Sequence, residues 1–441
     1  MSNVPALTKP RVAKKLATEE RTLRNGLKVI AIRKPGVPLV ELRLRLPALS
    51  TKANRPAQVS LLADSMLTGA GRLDRAGLAA AIQGLGGDLS VGADADRILI
   101  GGNVLATEFG GLLELLARVL TGATYADGEV ETERDRLVEN LAIARSRASV
   151  IASEALAHRM WGDHPYALDL PTPERVATTT ATQVRKLHED VVKPTGATLV
   201  LVGDLAPAKM IDLVATAFRR WQGTSVRGRV PGLPAPAPGL PLLVVDRPGS
   251  VQSSVRLARP AIPRSNPKSP ALQLANLAFG GYFSSRWTEN IREDKGYTYG
   301  PHSRLDHHQL GSMLVLDAEV ATEVTAPALL ETFYELGRIA ALPVTAEELE
   351  SVRQYAIGTL ALSTATQAGL ASTLSMLSAF GLGLDWIAEH PKRLQALSVE
   401  DVSAAAADFF GPAGFTGVVV GDADSIVSPL RSLAQVELAA G

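Results

Sequence analysis

Arg292 and a nearby tyrosine, Tyr297 or Tyr299, are the side chains best placed to do chemistry on a ligand in this 441-residue sequence. They lie in the stretch FGGYFSSRWTENIREDKGYTYG, residues 279–300, where a glycine pair, two serines, a short helical pattern and Gly296 follow one another. Phe283, Trp287 and Ile291 recur at i, i+4 and i+8, which predicts a helix with one apolar face and its cations elsewhere. Gly296 suits a left-handed helix stop, and Tyr297, Thr298 and Tyr299 alternate as a strand would. A guanidinium and a phenol are thus expected near one another beside backbone that a ligand can approach closely. Either Tyr297 or Tyr299 could supply the phenol, since both face the same side of such a strand. Gly280 and Gly281 either end a helix or expose amides that pair with an extended peptide. Ser284 and Ser285 read as helix caps rather than nucleophiles, because no His-Asp arrangement accompanies them.

The elements around this stretch come from a chain long enough for two domains. Apolar residues make up 46% and charged residues 20%, as in an ordinary globular protein. With 45 charges of each sign, nothing in the balance favours nucleic acid or an anionic membrane. There is no cysteine, so disulfides, thiolate metal sites and thiol catalysis are excluded. The N-terminal residues lack a signal-like apolar core and no run of about 18 apolar residues occurs, so a cytoplasmic protein is expected.

In chain order, alternating strands with an Asn25-Gly26 hairpin signal lead into Val40, Leu42, Leu44 and Leu46 on one face. Helical patterns follow over 58–67, 74–85 and 109–120, then a much longer one over 128–159, and a further one over 181–192. RVPGLPAPAPGLP, residues 229–241, reads as an extended linker between domains of 1–228 and 242–441. The strongest organisational signal is an internal repeat. The 32 residues from Pro173 align without a gap on those from Pro391, an offset of 218, matching Pro194 to Pro412, Gly196 to Gly414 and the Val-Gly-Asp ends at 202–204 and 420–422. The chain is therefore expected to be two copies of one α/β unit.

The stretch 279–300 resembles the second-half motif of the M16 family of peptidases, that of pitrilysin and the mitochondrial processing peptidase. The shared features are the glycine loop, the Ser285-Arg286 pair, a helix ending in Arg292-Glu293, and Gly296-x-x-Tyr299. The resemblance implies an α+β fold of two homologous α/β domains, each a mostly antiparallel sheet with helices, joined by the Pro-rich linker and facing each other across a cavity. It also implies that Arg292 and Tyr299 hold the substrate backbone and stabilise the transition state, and it picks Tyr299 over Tyr297. Gly280, Gly281, Tyr282, Phe283 and Ser284 would line the same peptide-binding site.

In an active member the first half carries His-x-x-Glu-His, because two histidines four apart on a helix can share a zinc ion and the glutamate can serve as base. Here those positions hold Leu61, Asp64 and Ser65. His307 and His308 with Asp306 are no substitute, since strand neighbours face opposite ways; they read as surface or interface residues. Glu129, Glu131, Glu133 and Glu139 read as a solvated helix face paired with Arg134 and Arg136. No metal is expected in this chain. The resemblance then implies a zinc-lacking subunit of the M16B type that pairs with a zinc-bearing sister to cleave peptides, with a non-catalytic scaffold as the alternative.

Overall fold

A computed structural model describes residues 16–50, 52, 54–168, 170–226, 232–234 and 239–439. Much of the segment 229–241 lies outside the described residues. Leu233, within it, packs beside Trp161.

Two six-stranded sheets organise the chain. The first orders Ala17–Thr22, Lys28–Arg33, Thr198–Gly203, Leu39–Pro47, Arg97–Leu105 and Asp88–Ala93. The second, read from the matching edge, orders Val436–Leu438, Leu242–Asp246, Thr416–Gly421, Gln252–Ala261, Ser312–Ala321 and His302–His307. In each, the second and third strands in this order are parallel, Lys28–Arg33 with Thr198–Gly203 and Leu242–Asp246 with Thr416–Gly421. From the third strand to the sixth the pairing is antiparallel. The copies differ at one edge. An N-terminal strand pairs antiparallel there in the first half, through the Asn25-Gly26 turn with Gly26 at φ +87°, and a C-terminal strand pairs parallel in the second.

The repeat is carried down to the caps. Thr180 opens the helix Ala181–Val191 with a capping box closed by Gln183, and Ser398, 218 residues later, opens Val399–Phe410 with one closed by Asp401. Each box satisfies two amide groups that a helix start leaves without partners. Each helix then leads into the aligned strand, Thr198–Gly203 or Thr416–Gly421.

These central strands are apolar at every other residue on both faces, which suits a sheet covered on both sides. Leu199 and Leu201 face the core of their own half, whereas Val200 and Val202 face outward with Ile30 and Ile32. What covers that outer face comes from the other half. Leu370, Ala371 and Leu374 of the helix Gln367–Ser378 pack on it. Reciprocally, Ala152 and Leu156 of the helix Ala148–Trp161 pack against Val418, Val420, Ala258 and Val315 of the second sheet. Each fully buried leucine contributes about 1.5–3 kcal/mol, so the exchange fastens the two halves together.

This exchange explains one departure from the sequence pattern. The long helix expected over 128–159 is two helices, Asp127–Arg145 and Ala148–Trp161. Arg147 adopts extended backbone between them, and the Ser146 hydroxyl donates to the Ile143 carbonyl at 2.8 Å. The helical composition is continuous, but the break redirects the second segment from its own core to the opposite sheet. No helix among the described residues is long and apolar enough to cross a membrane.

Candidate functional site

The stretch that carries Arg292 is built over Trp287. The indole is buried, stacks on Phe279 at 5.4 Å and donates its N–H to Thr332 Oγ1 at 3.0 Å. Ile291 is fully buried beside it, as the apolar spacing predicts. Phe283 departs from that spacing. The chain is extended at Tyr282, the helix starts only at Arg286, and Phe283 is left 59% exposed. Residues Glu289–Asp294 then continue in a wider, π-type turn. The stop at Gly296 is as expected, with φ +65°, and Tyr297 N–H reaches back to the Ile291 carbonyl at 2.8 Å. Gly296 N–H also bonds to the Arg292 carbonyl at 3.1 Å, the bond of an αL helix ending. No strand forms over Tyr297 to Tyr299; the next one begins at His302.

Gly280 and Gly281 close a helical turn, Leu277–Gly281. A Cβ on Gly280 would stand 2.8 Å from the Trp287 ring, and one on Gly281 would stand 2.8 Å from Asn276 Nδ2. This is the helix-ending alternative; exposed amides for an extended peptide do not fit Gly280, which is buried. Tyr282 shares a hydrogen bond with Ser351 Oγ at 3.1 Å and rests against Tyr355. Ser284 is exposed. Ser285 sits at the cap position, but its hydroxyl donates to Thr288 Oγ1 at 2.9 Å rather than to a backbone group.

The turn brings Arg292 between two aromatic rings. Its Cζ lies 4.4 Å from the Phe283 centroid and 4.9 Å from that of Tyr299. Tyr299 is 87% exposed, whereas Tyr297 packs against the core of the second half. A guanidinium carries all its N–H donors in its own plane, so rings on its faces leave those edges available. One edge meets Glu293 at 3.4 Å. The arrangement is a hydrogen-bond donor, its side chain 24% exposed, flanked by a phenol. The sequence pattern places Phe283 on the helix face and therefore misses this stacking, although the aromatic nine residues before Arg292 is visible in it.

Arg286, six residues earlier, has a different task. It is buried and forms a two-pronged pair with Glu348, at 2.6 and 2.8 Å, while also donating to the Pro343 carbonyl. Glu348 meanwhile closes a capping box with Thr345. The Arg286 hydrogen bond holds the Glu348 carboxyl below its usual range, with burial opposing. A carboxylate whose folded pKa is depressed contributes stability above its unfolded pKa and loses it as pH falls through the folded value. Urea titrations should therefore show stability declining below the ordinary glutamate range near 4.5, and Glu348→Gln should flatten that part of the profile; an unchanged acid limb would rule this out.

In the first half, Leu61 is fully buried in the core and Ser65 is buried with its hydroxyl unbonded. Asp64 is partly buried, and burial raises its pKa, with Arg136 opposing and Glu133 reinforcing. Glu133 corrects the solvated-face reading, being only 2% exposed. Arg75 reaches it from Arg75–Gly84 at 2.8 Å and Arg136 pairs with it from its own helix. Arg134 pairs with Asp135 instead, and Glu129 with Arg75. Two guanidinium groups thus balance the buried carboxylate. A leucine, a serine and one aspartate do not make a zinc site, whose ligands are imidazole, thiolate or carboxylate in a tetrahedral set. Among the described residues no group of three His, Cys, Asp or Glu side chains could hold a metal. His307 accepts or donates with Ser312 Oγ at 2.7 Å, and His308 stacks on Tyr166 of the first half at 4.3 Å.

The fold is a duplicated α/β scaffold among whose described residues no zinc-ligand set occurs. Residues 178–355 match the family model described as peptidase M16 inactive domain. An uncharacterized zinc protease of Streptomyces coelicolor is 24% identical over 351 residues, 76% of this chain and 74% of that one. One from Mycobacterium leprae is 27% identical over 234 residues, and the match spans about half of that protein, 52% of each chain. Among solved structures, the peptidase M16 inactive domain from Pseudomonas fluorescens superposes with a TM-score of 0.85 at 22% identity, covering 92% of this chain and 98% of that one. The periplasmic protease PqqL from Escherichia coli gives a TM-score of 0.76 at 16% identity, covering 96% of this chain but 48% of its own. The family match over residues 178–355 and these relatives bear out the resemblance to M16 peptidases.

Proposed function

We propose that this chain is the zinc-lacking subunit of a two-subunit M16 peptidase, of the M16B type. The observation that carries the reading is the asymmetry between its halves. In the second half Tyr299 lies against Arg292, while in the first half Leu61, Asp64 and Ser65 stand where the resemblance would put the zinc motif. A sister subunit would bring the zinc and its bound water. The Arg292 N–H edge would donate to a substrate carbonyl, and the Tyr299 hydroxyl would stabilise the oxyanion that forms when the scissile carbonyl is attacked. That PqqL is about twice the length covered here supports the need for a second, matching portion.

Coexpression with a sister bearing His-x-x-Glu-His tests the proposal. The two chains should copurify and together cleave unstructured peptides. The alternative, a non-catalytic scaffold, requires no such sister, and failure to copurify with peptide turnover selects it. The isolated chain, equilibrated with zinc and desalted, should retain well under one equivalent by atomic emission. A stoichiometric metal would overturn the assignment of this chain as the zinc-lacking member.

A further inference from the structure

The seam between the halves holds a second group of side chains that the peptide site does not use. Arg55, the first residue of the helix Arg55–Ser65, is 9% exposed, and its buried Nε has no hydrogen-bond partner. Among the described residues no carboxylate forms an ion pair with it. Asp190 is the carboxylate whose charge acts on it, yet Asp190 is held by Lys186 at 3.1 Å. Burial dominates and draws the guanidinium pKa down. At the helix start it belongs to, Asn54 makes no side-chain cap, Arg55 N–H bonds to the Lys52 carbonyl at 2.9 Å and Pro56 has no N–H, which leaves the Ala57 N–H. Across a cavity of about 170 Å³ stands Ser225, 7% exposed, its Oγ likewise buried without a partner. Ser50 borders the same space, and the backbone turn of Gln309 and Leu310 closes it from the second half.

A largely buried cation with no direct ion pair is unfavourable, and a helix N-terminus favours negative charge. A donor-rich cavity of this size, with a guanidinium and a hydroxyl both unengaged, calls for a compact acceptor. We propose that it binds a small free oxyanion, phosphate or a carboxylate of similar size, held by Arg55, Ser225 and the start of the helix. Gln309 and Leu310 lie on the hairpin whose amides already bond to Asp96 Oδ2 and to the Tyr166 hydroxyl, at 3.0 and 3.1 Å. The bound anion would thus join both halves at the point where they already touch.

Calorimetric titration of the full chain with inorganic phosphate, and separately with acetate, each against chloride at matched ionic strength, tests the site. Saturable binding of either anion is expected, with a rise in the thermal midpoint that chloride does not reproduce. Arg55→Met should weaken binding by about tenfold or more, in line with loss of a charged hydrogen bond. It should fold normally in chloride, since an unpaired buried cation is replaced by an apolar chain of similar length. Should it fail to fold, Ser225→Ala serves instead and should weaken binding severalfold. Equal responses to chloride and to both oxyanions, or wild-type phosphate affinity in both variants, would overturn the proposal without touching the Arg292 reading.

Discussion

If the chain works with a zinc-bearing sister as proposed, Arg292→Ala should lower peptide cleavage by the reconstituted pair about a hundredfold or more, and Tyr299→Phe should do the same, with assembly intact in both. The size follows from the role, since losing one donor aimed at a developing oxyanion typically costs about 2.7–4 kcal/mol in the transition state. The geometry separates the two contributions of Tyr299. Phenylalanine keeps a ring against Arg292, whose Cζ lies 4.9 Å from the tyrosine centroid, and deletes only the hydroxyl. Tyr299→Phe should accordingly reduce kcat with little change in KM, whereas Arg292→Ala should affect both. Phe283→Leu, which loosens one side of the stack, should cost only about 0.5–1 kcal/mol. Steady-state kinetics on a fluorogenic peptide would decide. Wild-type turnover in both Arg292→Ala and Tyr299→Phe would remove these residues from the reaction.

The second large effect is on stability. Trp287→Ala should destabilise the chain by about 3–5 kcal/mol, the range for deleting a buried large aromatic. Its ring lies beneath Gly280 and against Phe279, so little nearby can collapse into the space. Trp287→Phe should cost much less, because Thr332 Oγ1 keeps its bond to the Ala328 carbonyl at 2.7 Å when the indole N–H is lost. Urea midpoints of the two variants measure the difference, and equal midpoints would show that the indole is not the support of the Arg292 turn. Because the same indole carries that turn, Trp287→Ala should also disturb peptide binding in whatever fraction remains folded.

How much of this could be read from the chain alone depends on the range of the interaction. The duplication is legible because its markers are local: a capping residue, a Pro-x-Gly turn and an apolar strand recur at one offset, and Thr180 and Ser398 do equivalent work. That Leu61 and Ser65 cannot supply histidine ligands is legible for the same reason. The break at Arg147 is not, because both flanking segments are good helix formers and only the opposite sheet tells them apart. Glu133 reads as one of several exposed acids, since Arg75, which buries it, lies 58 residues away and no periodicity links them. Phe283 is misplaced for a subtler reason. Its spacing fits a helical face, but the chain is extended at Tyr282, and the ring turns instead to a cation.

The mutual loan of Ala148–Trp161 and Gln367–Ser378 bears on how such a molecule could arise. Severed between its copies, the polypeptide would give two pieces, each showing water a valine-rich plane that only its counterpart can hide. An ancestral single copy would have met the same difficulty and solved it by embracing a twin. Fusion would turn such a symmetric pair into one chain whose copies are free to specialise.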